Sequence, residues 1–364
     1  MARLRPTPLC ERLGVRYPIF GFSHSPDVIV ELARAGGFGV LGLAREMPDD
    51  VPQILADVEA RLQGRPYGVD LMLPQNVPQQ GDLAALRASL PAGHVEFVQT
   101  LRNRFDLPPS VKPSFFTTQV RSEALFERQA ELVLASRATM VATAIGIRPE
   151  LITRAKAAGK VTASLVGSVR HARKAMALGV EVLVAQGYDA GGHTGPVGTM
   201  SLLPQIVEAA EGLPVLGAGG VATGGQVVAC LAMGAQGGWL GTLWMAAKES
   251  HTPPNLLRRL VDGRSEDTVI TRAHSGKPCR VIRSPWIDAW SDEQAPEPLG
   301  MPAQQALTGD AFASMFERDD AATIYEAAGQ SVFRIRGETS IHDQMQRLVA
   351  EAEAALAGLA GFAA

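Results

Sequence analysis

Eight short apolar, β-branched runs recur along the chain, near 18–22, 38–42, 67–73, 139–145, 161–166, 181–185, 214–218 and 238–241. Most are followed by a Gly-rich or polar turn and then by a stretch with helical spacing. The runs alternate little between polar and apolar residues, which predicts strands covered on both faces, as in parallel sheets with helical crossovers. Eight such units are what closes a (β/α)8 barrel. An open doubly wound sheet would instead carry a Gly-x-Gly-x-x-Gly turn after its first strand. Residues 21–26 read Gly-Phe-Ser-His-Ser-Pro, and the glycines cluster after the late strands. The expected fold class is therefore α/β, a (β/α)8 TIM barrel.

A barrel of this kind takes roughly 250 residues, and the chain has 364. The surplus falls in two places. Residues 74–119 are rich in Pro and Gln, with one helix-like piece near Val95–Phe105. Beyond residue 250 the rhythm stops: Thr252–Gly309 is Pro-rich and irregular, while Ala311–Ala328 and Asp343–Ala357 have helical spacing. We expect 1–73 and 120–250 to form the barrel, and 74–119 with 251–364 to form a smaller, mostly helical cap over its mouth.

Composition narrows the function. A net charge of −3 gives no electrostatic reason to expect nucleic acid or an anionic membrane as partner. No apolar run reaches the length of a membrane span, and the basic N-terminal residues have no apolar stretch behind them as a signal peptide would. Cys10, Cys230 and Cys279 are far apart and odd in number, which argues against a disulfide framework or a zinc site. No HxH, HExxH or paired-carboxylate spacing suggests a metal, and no GxSxG suggests a hydrolase. The expectation is a cytoplasmic enzyme acting on a small molecule without a metal.

In a barrel, ligands sit at the C-terminal ends of the strands. The sixth strand candidate runs into Val184-Ala-Gln-Gly-Tyr-Asp-Ala-Gly-Gly-His-Thr-Gly195. Glycines such as Gly191 and Gly192 let a loop wrap closely around a ligand. His193 at its end can exchange a proton near neutral pH and is the first candidate acid–base residue. Gln186 could bond the edge of a flat heterocycle. Gly219 and Gly220 in Leu216-Gly-Ala-Gly-Gly-Val221, with Gly241 and Thr242 after the last strand, offer backbone amides and a hydroxyl to a phosphoryl group, as does a helix starting near Gly224. Gly21, Phe22, Ser23 and His24 end the first strand, and Asp70 lies on the third. His24 is a second candidate acid or base. Asp70 is costly inside a barrel unless it is bonded.

These segments resemble the nitronate monooxygenase (2-nitropropane dioxygenase-like) family of FMN-dependent β/α barrels. The resemblance is carried by Ala33-Arg-Ala-Gly-Gly-Phe-Gly-Val-Leu-Gly42, Ala185-Gln-Gly-Tyr-Asp-Ala-Gly-Gly-His193, Ala218-Gly-Gly-Val221 and Leu240-Gly-Thr-Leu-Trp-Met-Ala-Ala-Lys-Glu-Ser250. It implies FMN at the barrel mouth, held by Gly21, Phe22, Ser23, Asp70, Gln186, Gly191, Gly192, Gly219, Gly220, Gly241 and Thr242. His193 would be the active-site base. The chain departs from the nitronate-oxidising pattern in three places: Phe20-Gly-Phe-Ser-His-Ser25 replaces a Pro-Met pair, Asp70 an Asn, and Leu243 an Arg.

Tyr17–Gly42, Pro66-Tyr-Gly-Val-Asp70 and Pro298-Leu-Gly-Met-Pro302 are closer to a subgroup linked with steroid breakdown, which implies NAD(P)H-dependent reduction of activated double bonds in CoA thioesters. Lys277, Arg280 and Arg283 would then meet an anionic CoA tail. The leading expectation is oxidation of alkyl nitronates with O2. The alternatives are that reductase and a non-flavin, phosphate-binding isomerase or lyase barrel.

Overall fold

In the computed structural model, which describes residues 3–72 and 74–362, the eight runs become eight parallel strands. They are β1 (Ile19–Ser23), β2 (Phe38–Gly42), β3 (Gly68–Met72), β4 (Met140–Ala144), β5 (Val161–Val166), β6 (Val182–Gln186), β8 (Val215–Ala218) and β9 (Gly238–Leu240). A two-residue strand, β7 (Gly192–His193), falls between β6 and β8. Hydrogen bonding runs β1-β2-β3-β4-β5-β6-β8-β9 and closes on itself, with Ile19, Phe20 and Gly21 opposite Gly238, Trp239 and Leu240. The closed (β/α)8 barrel is thus observed.

Period-2 alternation sorts each strand's side chains. On β2, Phe38 and Val40 join Phe20, Met140, Ala142, Val182, Val184, Leu216 and Trp239 inside the barrel. Leu41 and Leu43 instead pack against the surrounding helices. The short helix Pro8–Leu13 inserts Leu9, Cys10 and Leu13 into the interior cluster. Its Leu9 amide donates to Gln236 Oε1 at 2.8 Å, and Gln236 precedes β9. This helix therefore closes the N-terminal end of the barrel and leaves the C-terminal end as the mouth.

The insertion and much of the tail share a second hydrophobic core. Val98 and Leu101, from the helix Ala92–Arg104, pack with Trp286, Phe312 and Tyr325. Two features differ from the sequence expectation. The final helix, Ile341–Ala360, lies on the outer wall of the barrel, where Met345, Leu348 and Ala352 join the same cluster as Val227 and Val228. Gly224 makes that approach possible, since a Cβ there would stand 2.1 Å from the Leu348 carbonyl oxygen. The segment after residue 250 also contains β10 (Thr268–Thr271) and β11 (Cys279–Ile282), which form an antiparallel sheet in the order β10-β11-β7. Cys279 lies opposite His193, so this sheet ties the tail to the histidine loop.

Candidate active site at the barrel mouth

His193 is held from both sides. Its carbonyl accepts from Gln186 Nε2 at 3.0 Å, and its Nε2 lies 2.7 Å from Ser275 Oγ. Ser275 is fully buried. Its oxygen accepts the Lys277 amide at 3.3 Å and its hydroxyl reaches the Lys277 carbonyl at 3.4 Å. With that proton turned to Lys277, Ser275 is left to accept from His193 Nε2–H, and the lone pair on Nδ1 is then the basic one. Burial, followed by the charges of His274, Arg121 and Lys277, lowers the His193 pKa from 6.5 to about 3. Its imidazole is therefore neutral throughout the physiological range.

His24 closes the mouth on the β1 side. Its Nδ1 bonds the Gly42 carbonyl at 2.8 Å, and its ring meets Phe22 edge-on at 5.3 Å. Burial and then Arg45 lower its pKa to about 3. The Ser23 hydroxyl accepts from the Ser25 amide at 3.0 Å, which forms the turn out of β1.

Asp70 is buried, at 5% exposure, and its carboxyl makes no hydrogen bond among the described residues. Desolvation alone raises its pKa well above 3.8. A buried carboxyl without a partner is costly, so this position is an open polar contact inside the mouth.

The two glycine turns lie side by side, because β8 and β9 are neighbours with Ala218 opposite Trp239. Gly219 and Gly220 have φ of +98° and +74°, a region that favours glycine. The amides of Gly219, Gly220 and Gly241 donate no backbone hydrogen bond among the described residues. A Cβ built on Gly241 would meet nothing within 4 Å. Thr242 Oγ1 accepts the Gly329 amide at 2.9 Å, which leaves its hydroxyl proton to donate. These open donors, with Asp70 on the far side, suit a flat ligand that has a phosphoryl group at one end.

Three of these glycines have structural roles of their own. The glycine at 21 is required by packing behind the strand, since a Cβ would stand 2.3 Å from Leu32 Cδ1 and 2.7 Å from Trp244 Nε1. At Gly191 a Cβ would lie 2.7 Å from the Ala328 and Gly329 backbone, so the missing side chain admits a chain crossing; Gly192, at φ +78°, has open space. The helix at Gly224 does not offer its first amide to a ligand, because that N–H donates to Glu351 Oε2 at 3.0 Å. Two of the cations expected to meet a CoA tail are also engaged elsewhere. Arg280 is buried, bonds Thr268 and the Tyr188 carbonyl, and stacks over the Tyr188 ring. Arg283 pairs with Asp288 at 2.5 Å.

The sequence reading missed a polar arc that completes the mouth. Arg45 pairs with the buried Glu326 at 2.5 Å. Tyr325 lies next to Glu326 in sequence, and its hydroxyl is 3.3 Å from His274 Nδ1. His274 precedes Ser275 and is itself lowered to about 4, chiefly by burial. Arg121 is buried nearby. A single arginine in an irregular segment carries no sequence signal for burial.

With this geometry in place, the similarities to other proteins are specific. A family model described as nitronate monooxygenase matches residues 9–351. The chain belongs to the nitronate monooxygenase family. It is an oxidoreductase of the nitronate monooxygenase type. A Mycobacterium tuberculosis protein, assigned to the monooxygenases by description only, is 39% identical over 84% of this chain and 83% of its own. An indene-carboxyl-CoA dehydrogenase of the same organism is 28% identical over 79% of this chain and 68% of its own. Among solved structures, the nitroalkane oxidase of Streptomyces ansochromogenes superposes with a TM-score of 0.80 at 25% identity, covering 97% of this chain and all of that one. No described helix of this nitronate monooxygenase family member is long and apolar enough to cross a membrane.

Proposed function

We propose that this chain binds FMN across the barrel mouth and oxidises alkyl nitronates with O2. The observation that carries the reading is a neutral, half-buried His193, fixed by Ser275, in the same barrel mouth as an unpartnered Asp70 and the open amides of Gly219, Gly220 and Gly241. Those amides and the Thr242 hydroxyl would hold the phosphoryl end, and Asp70 would meet a polar edge of the ring. The bound flavin would supply electron transfer between substrate and O2.

The chain's own residues manage the proton and the charge. His193, kept unprotonated by burial, has a free lone pair at Nδ1 to take a proton from the carbon beside a nitro group, and the anion formed there would raise the basicity that burial lowers. Gln186 and Ser275 fix its backbone and ring, so the basic lone pair keeps one direction. Phe22 and Trp239, roughly parallel with centroids 6.5 Å apart, would give the ligand an apolar wall. A CoA-thioester reductase is less well supported here, because Arg280 and Arg283 are already bonded within the protein.

Oxygen uptake tests the reading. The purified protein should consume O2 when ethylnitronate is added, and His193→Asn should lower turnover on nitroethane by about 10²–10⁴, the usual scale of general acid–base catalysis. Rapid anaerobic reduction by NADH or NADPH with no response to a nitronate would favour the reductase instead.

A further inference from the structure

Arg121 is left without a task by that mechanism. It lies on the segment returning from the insertion to the barrel and is 3% exposed. Its Nη1 donates to the Ala44 carbonyl at 2.7 Å and its Nε to Gln305 Oε1 at 3.0 Å. The guanidinium covers the Phe115 ring at 4.7 Å. Its Nη2 has no hydrogen bond, and no carboxylate pairs with it, among the described residues. Burial and Arg45 lower its pKa to about 9, so it remains a cation at neutral pH. Arg45 has a counter-charge in Glu326; Arg121 has no counter-ion among the described residues, only the dipoles of a carbonyl and an amide and the face of Phe115.

An unpaired buried charge is costly. A bridge from Ala44 to Gln305 does not need one, because a neutral donor would serve. The position of the charge is informative. Ala44 lies two residues beyond Gly42, whose carbonyl holds His24, so Arg121 stands at the exit of β2 beside the mouth. Its field lowers the basicity of His24, His193 and His274 alike.

We propose that Arg121 is the anion anchor of this site, binding through its unused guanidinium edge the planar pair of oxygens of an organic monoanion. A carboxylate or a nitronate has that shape, and arginine meets such groups with paired N–H donors. That a nitronate is the anion turned over rests on the function proposed above; the anchor itself does not. Arg121 would therefore set the preference for a charged substrate over its neutral nitroalkane form.

Calorimetric titration of the purified protein with propionate, an unreactive carboxylate, reads the anchor without turnover. Arg121→Met should weaken propionate binding about 10–100-fold, the range for losing a charge-assisted hydrogen bond. It should raise KM for ethylnitronate to a similar degree and leave the KM for neutral nitroethane near wild type. Arg121→Lys, which keeps the charge and loses the fork, should fall between, and it serves if the Met variant does not fold. Unchanged propionate affinity in Arg121→Met, or in Arg121→Lys where only that variant folds, overturns the proposal. So does unchanged affinity combined with a shifted flavin potential, which would assign the charge to the cofactor. Arg121-dependent propionate binding in a protein that does not oxidise nitronates would uphold the anchor while removing the proposed function.

Discussion

Burial sets the chemistry of both His193 and Asp70, and it acts on them in opposite ways. It lowers the imidazole's pKa and raises the carboxyl's, disfavouring the charged form of each. Ser275 then decides which imidazole nitrogen is basic. Ser275→Ala removes that constraint, so kcat should fall about tenfold or more, while KM and the visible spectrum stay near wild type. Loss of KM with kcat intact would show that Ser275 serves binding and not orientation. For Asp70 the raised pKa means that its contribution to stability is fully present below pH 3.8 and is lost as pH rises through the folded-state value. Asp70→Asn removes that loss. The flavin-free protein should gain roughly 1–3 kcal/mol above neutral pH, and the gain should shrink on acidification. Urea midpoints at several pH values check this, and a gain independent of pH would contradict it. The sequence indicated His193 by its place in a glycine-rich loop after a strand. It did not indicate Ser275, which is 82 residues away and reaches the histidine only through tertiary structure.

At the scale of elements, the barrel strands were legible because each is a short apolar run with a turn behind it. The small sheet was not. β7 has two residues, too few for any periodic signal, and β10 and β11 were read as part of an irregular tail although Thr268–Thr271 and Cys279–Ile282 are rich in β-branched residues. Glycine was also an ambiguous guide. Gly21 and Gly191 are required by packing and a chain crossing, whereas Gly241 faces open space. Two alanine variants separate these cases. Gly191→Ala should destabilise the protein by about 1–3 kcal/mol, the usual cost of overpacking, because its Cβ would press on Gly329. Gly241→Ala should leave the melting temperature nearly unchanged yet lower the flavin content on purification. A Gly241→Ala protein with full flavin would remove that turn from the cofactor site.

For the whole molecule, the mouth gathers residues from the first strands, the segment after the insertion, the histidine loop and the tail. That is why Arg45, Arg121, His274 and Glu326 could not be placed from sequence, where they are separated by up to 281 positions. It also gives the fold a predictable response to acid. His193 and His24 are lowered to about 3 and His274 to about 4, against 6.5 when unfolded. A group with a depressed folded-state pKa supports the fold above its unfolded value, and that support is lost as pH falls toward the folded one. Stability should therefore decline progressively below about pH 6.5 as the unfolded histidines take up protons. The decline should be shallower in His274→Phe, as read by urea midpoints. Equal slopes in the two proteins would contradict a buried neutral His274.

The visible spectrum of the purified protein, followed during anaerobic titration with ethylnitronate, tests the proposed flavin site beside His193 most directly. A yellow protein is expected, its bands bleaching with the nitronate and returning when air is admitted. A colourless protein, or flavin bands that the nitronate leaves untouched, would contradict it.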